Sequence, residues 1–193
     1  MRRMFPALLT TLLATLAACA TTARGPATAD SSAGLPLLSP ASLGESRQVS
    51  QLLRAEYTGG SVALRCVVMV DARMLTFIAL TSLGQRAFTL DYDGENLRAQ
   101  RAAQVPAALQ STQLLNDLQL VYWPLQVLQR SWRDSGVTVV ESGAGIRELR
   151  RDDTLLARVQ FGGDPWNGRV RLEHFDWHYT LQIDSGALPA AAQ

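Results

Sequence analysis

One change of hydrophobic period governs what this chain can fold into. Leu114, Leu118, Val121, Leu125, Leu128 and Trp132 step by 4, 3, 4, 3 and 4 residues, the stripe of an amphipathic helix. Leu115, Leu120, Tyr122 and Val127 widen the apolar surface well beyond that stripe. Pro124 lacks an N–H and its ring collides with the preceding turn, so it cannot lie inside a continuous helix. The pattern predicts two short helices meeting near Trp123-Pro124, the second ended by Gly136. On both sides of this region the chain alternates with period two.

Before it, strands are predicted over 48–57, 61–71, 74–81, 86–92 and 95–103. Gly59-Gly60, Ser82-Leu83-Gly84-Gln85 and Asp93-Gly94 mark turns between them, the last being a favoured hairpin dipeptide. After it, strands are predicted over 137–141, 146–150, 154–161, 169–174 and 177–184. About ten strands around one helical insertion make an α+β fold, a mostly antiparallel curved sheet wrapped on helices. Residues 61–71 and 74–81 are apolar on both faces, as in strands that are covered on both sides or line a cavity.

The amino terminus reads separately. Arg2 and Arg3 precede an apolar run over 5–16, and Leu16-Ala17-Ala18-Cys19 follows. The run is far short of the ~20 residues needed to span a bilayer, and it has the charged, apolar and small-residue parts of an export signal. Leu-Ala-Ala-Cys resembles the lipobox of bacterial lipoproteins. That resemblance implies cleavage before Cys19, a diacylglycerol on its thiol and an acylated new terminus. Ala20, rather than Asp, follows the cysteine, which by the lipoprotein sorting rule implies the periplasmic face of the outer membrane. Residues 1–18 are then the signal peptide, 19–40 an acylated tether rich in Thr, Ala, Gly, Ser and Pro, 41–185 the folded domain and 186–193 a loose tail.

Every basic residue is arginine, and loss of Arg2 and Arg3 leaves 16 arginines against 17 acids. The arginines are spread along the chain, which points away from nucleic acid. With Cys19 committed to lipid, Cys66 is the only other cysteine and reads as a small buried hydrophobe.

The chain's order of elements resembles the outer-membrane lipoprotein receptor LolB and its soluble partner LolA. The residues that carry the likeness are Phe77-Ile78-Ala79-Leu80-Thr81-Ser82-Leu83-Gly84 and Leu114-Leu115-Asn116-Asp117-Leu118 with Trp123-Pro124. The resemblance implies an incomplete antiparallel barrel whose concave side, closed by helices, binds acyl chains. It also implies that Leu83 protrudes from its turn as a transfer or membrane-contacting residue. Ser82 stands where the receptor usually has proline. The chain is more similar to a family of LolB-like lipoproteins of unknown function, often encoded in clusters that build aryl polyene lipids. That implies placement of a lipid product at the outer membrane, with a periplasmic LolA-like carrier as donor.

An acyl-binding lining is apolar with few titratable groups. Val62, Leu64, Val68, Leu75 and Phe77 on the strands, with Leu118, Val121, Leu125, Leu128 and Trp132 on the helices, are the candidates. The same residues equally suit a packed core. No Gly-x-Ser-x-Gly, Gly-x-x-x-x-Gly-Lys or His-Glu-x-x-His occurs, so no enzyme activity, cofactor or metal is expected. His174 and His178 are separated by a turn at Phe175-Asp176, and 91–96 reads as a hairpin rather than a calcium loop. Trp166, in a glycine-rich loop, either packs back on the sheet or meets a partner. A scaffold lipoprotein that binds no lipid stays open as the alternative.

Overall fold

The computed structural model describes residues 35–103, 105, 110–143 and 145–186. The readings of residues 1–34, including Cys19 and most of the tether, and of 187–193, lie outside the described residues. The elements are β1 (Arg47–Tyr57), β2 (Gly60–Val70), β3 (Leu75–Leu80), β4 (Arg86–Tyr92), β5 (Leu97–Arg101), α1 (Ser111–Tyr122), α2 (Leu125–Ser131), β6 (Thr138–Ser142), β7 (Ile146–Arg151), β8 (Thr154–Phe161), β9 (Arg169–His174) and β10 (Tyr179–Gly186). The strands form one ten-stranded antiparallel sheet in the order β5-β4-β3-β2-β1-β10-β9-β8-β7-β6. It is an open, α+β arrangement: β5 and β6 are edges, and the helices carry the chain from one edge to the other.

Two meanders are welded by the pairing of β1 with β10, in which Tyr57 faces Tyr179 and Ser50 faces Gly186. The inner face is the apolar one. On β2 the buried residues are Leu64, Cys66, Val68 and Val70, on β3 Leu75, Phe77 and Ala79, and on the second meander Leu149, Val159, Leu172 and Ile183 among others. The outer face of β2 and β3, expected either to be covered or to line a cavity, is not covered: Val67, Met69, Ile78 and Leu80 are only half-buried, and Ala63 and Arg65 are exposed. Cross-strand pairing sets Val67 against Ile78, so these side chains shield one another while still meeting solvent.

Pro124 breaks the helices as its chemistry requires. Trp123 ends α1 in an extended conformation, ψ 147°, and Pro124 at ψ 137° precedes α2. Residues 114–122 of α1 are all buried, including Asn116, Asp117 and Gln119. A helix buried all round needs a second cover besides the sheet, and 35–43 contributes to it. This corrects the tether boundary, because composition placed 35–40 in the tether. Instead Leu38 is buried, its N–H donates to Gln119 Oε1 at 3.0 Å, and Gln119 Nε2 donates to Leu38 O at 2.7 Å. The Trp132 indole N–H donates to Pro36 O at 2.9 Å, and that of Trp123 to Ser42 Oγ at 2.8 Å. The strap is thus held by four hydrogen bonds from helix-region side chains.

The far end of α1 is closed by Arg147 of β7. Its guanidinium donates to Leu120 O at 2.7 Å and Trp123 O at 2.9 Å, and to Glu141 Oε2 at 3.0 Å. Carbonyls at a helix C-terminus lack intrahelical partners and carry the negative end of the dipole, so a buried cation there is well placed.

Candidate functional site

Antiparallel connection puts alternate turns at the same end of the sheet. The β1–β2 turn, the β3–β4 turn at 81–85, the β7–β8 turn and the β9–β10 turn at 175–178 therefore share one rim. Leu83 stands on that rim with 84% of its surface exposed. The turn beneath it is tied by Gly84 N–H to Thr81 O and Thr81 N–H to Gln85 O, both 2.9 Å. Gly84 sits at φ +74°, a conformation costly for residues with a Cβ. The turn's backbone hydrogen bonds thus hold this apolar side chain outward. Phe175 and Trp177, on the β9–β10 turn of the same rim, are 40% and 39% exposed.

A cavity of about 240 Å³ lies between the α1 N-terminal half and the second meander. Gln113, Asn116 and Asp117 wall it from the helix, Arg151 and His174 from β7 and β9, and Trp177 from the rim. Leu120, Trp132, Leu149 and Leu156 supply its apolar part. Asp117 accepts from Gln113 Nε2 at 2.9 Å and from the Tyr179 hydroxyl, whose ring lies 5.2 Å from that of His174. Burial outweighs both hydrogen bonds and pushes the Asp117 carboxyl up to about 7. Burial also pushes the Tyr179 hydroxyl up and the His174 imidazole down to about 4.

These two shifts act on stability in opposite directions. Asp117 rises from 3.8, so its contribution is full below about pH 4 and is lost as pH rises through about 7. His174 falls from 6.5, so its contribution is full above about pH 6.5 and is lost as pH falls through about 4. Between pH 4 and 6.5 they offset each other. In Asp117→Asn only the His174 slope remains. Relative to wild type, this variant should gain stability from pH 4.5 to 8, by up to about 4 kcal/mol. Thermal melts across that range check it; a pH-independent difference between the two proteins would contradict the assignment.

A second cavity, about 350 Å³, opens at the other end of α1 beside Tyr122, Trp123, Glu141, Arg147 and Phe161. Trp166 is half-buried, its ring 4.3 Å from that of Tyr122 on α1, so the indole packs inward on the helix.

Of the ten residues expected to line an acyl cavity, Val121 borders the second cavity and Trp132 the first. Leu64, Val68, Leu75, Phe77, Leu118 and Leu128 are buried in the core cluster, and Val62 and Leu125 pack half-buried against it. These eight therefore lie in or against the core cluster, and the two cavities described lie toward the second meander. Cys66 is fully buried and burial pushes its thiol up to about 12, consistent with a packing role. No cluster of metal-ligating residues occurs among the described residues, and none of their helices is long and apolar enough to cross a membrane.

A family model matches residues 48–187; its description is a protein of unknown function, DUF3261. The chain belongs to that family. The match begins in β1 and runs just past the end of β10, so the DUF3261 region is the whole ten-stranded sheet with its helices. No curated protein matches the chain.

Asn116 and Asp117 escaped sequence reasoning because they read as the polar part of a helix start. A signal was present: Leu114, Leu115, Leu118, Leu120 and Val121 surround them at helical spacing. A helix apolar on so many sides forces its polar residues inside.

Proposed function

We propose that this DUF3261 protein is an outer-membrane lipoprotein of LolB-like type that holds an acyl or lipid moiety and passes it to the membrane. The reading rests chiefly on Leu83, an 84% exposed leucine held outward on a rim shared with Phe175 and Trp177. Water opposes such exposure, whereas a bilayer rewards it: burying a leucine is worth about 1.5–3 kcal/mol. The lipobox at Cys19 supports an anchor that keeps the domain at the outer membrane, where it receives cargo from a LolA-like carrier. Two or more acyl chains hold a protein at a membrane firmly, which suits a receptor rather than a shuttle. The cargo is a lipid product of the aryl polyene type or an acylated protein.

The 240 Å³ cavity is smaller than the ~300–1,000 Å³ usual for ligand sites. A whole acyl chain would therefore need α1 and α2 to shift from the sheet. A scaffold role remains the second reading, favoured by the half-exposed apolar outer face of β2 and β3.

The test is transfer of a pyrene-labelled phospholipid from the protein to acceptor vesicles. Leu83→Glu is expected to slow transfer about ten- to a hundredfold while leaving the amount of bound lipid unchanged. Equal rates for both proteins would remove the role of Leu83; a wild-type protein that takes up no lipid would leave the scaffold reading.

A further inference from the structure

The cavity beside α1 carries two features that neither a packed core nor a purely apolar acyl site requires. Asn116 is 5% exposed, walls the cavity, and its Oδ1 has no hydrogen-bond partner among the described residues. Such a buried acceptor costs about 1–3 kcal/mol until a donor reaches it. Beside it in sequence, Asp117 is equally buried, and the partners named for it, Gln113 and Tyr179, are neutral donors. None of the ion pairs among the described residues includes Asp117. A desolvated carboxylate held this way lacks a cation.

We propose that this cavity binds a primary ammonium group carried on a short apolar tail. An ammonium brings three donors and a positive charge. With the Asn116 amide turned so that its buried Oδ1 meets the cavity, the ammonium satisfies that oxygen, ion-pairs with Asp117, and lies among Trp132 and Trp177, whose indole faces attract cations. The tail lies along Leu120, Leu149 and Leu156. A hydroxyl would meet Asn116 but leave the carboxylate uncompensated. A carboxylate or phosphate head would be repelled by Asp117 and Asp176, though Arg151 offers a cation on the same wall. The other titratable group facing the cavity, His174, is held neutral by burial at ordinary pH. The tail rests on the lipid-handling reading above; the ammonium end rests on the cavity alone.

Calorimetric titration of the full chain at pH 7.5 with n-hexylammonium, n-hexanol and hexanoate separates head from tail. Hexylammonium is expected to bind at least about tenfold more tightly than hexanol, and hexanoate least of the three. Asp117→Asn keeps the side-chain shape and should bring hexylammonium down to the hexanol level. Asn116→Leu, with its fold checked by circular dichroism, should weaken it independently. Equal affinity for the three probes would overturn the ammonium site and leave lipid handling standing. Tightest binding of hexanoate would overturn it in favour of Arg151. Binding of none, with Leu83-dependent lipid transfer intact, would overturn it alone; binding of none with no lipid uptake would overturn both.

Discussion

Arg147→Ala is expected to lower the unfolding free energy by about 3–5 kcal/mol, the largest single-residue effect outside the apolar core. The side chain is 8% exposed and fills three roles at once: it closes the C-terminal carbonyls of α1, pairs with Glu141, and lies over the Phe161 ring at 5.1 Å. Truncation leaves the Leu120 and Trp123 carbonyls without this donor, at about 1–3 kcal/mol each, and removes the packing on Phe161. Glu141, a third exposed, rehydrates and adds little. Arg147→Lys should recover only a fraction, because an ammonium cannot reproduce the planar fork that spans two carbonyls and a carboxylate. Urea unfolding measures both variants. A loss under about 1 kcal/mol would mean that water from the adjoining 350 Å³ cavity replaces the guanidinium.

Phe77→Ala is expected to cost about 3–5 kcal/mol, and it decides whether the first meander is packed core or cavity lining. Phe77 is 2% exposed, meets Phe88 edge-on at 6.3 Å, and faces Leu90 across the strand pair. In packed surroundings, removing the ring forfeits its contacts and leaves a void that neighbours fill only partly. A residue lining a preformed hollow would lose much less, under about 2 kcal/mol, because part of its surface has no partner atoms. The comparison protein is Leu83→Ala, whose side chain is exposed and whose loss should shift stability by no more than about 0.5 kcal/mol. A charge at Phe77 would unfold the domain rather than report on lipid, so cargo binding is better probed at the rim.

Much of this architecture was legible locally. Period-two alternation marked all ten strands, and three of them, β4, β8 and β9, match the expected bounds residue for residue. Pro124 announced the helix break, and Asp93-Gly94 the hairpin, where Asp93 accepts from the Glu95 and Asn96 N–H groups at 2.9 and 2.7 Å. Each of these is a consequence of one or a few adjacent residues. The strap over α1 was not legible, since 35–40 has no period and docks through Leu38 on a glutamine 81 residues away. The split between packed core and cavity was equally hidden, because Phe77 and Trp132 look alike in a hydrophobic pattern.

By itself, then, the sequence determined the kind and order of the elements and the break at Pro124, since backbone propensity and side-chain period act over a few residues. Only the tertiary structure decided that β1 and β10 join the two meanders, that Arg147 closes α1, and that Asn116 and Asp117 face a cavity beside the second meander. Those outcomes depend on which distant surfaces meet, and a polar residue's meaning changes with what burial places around it.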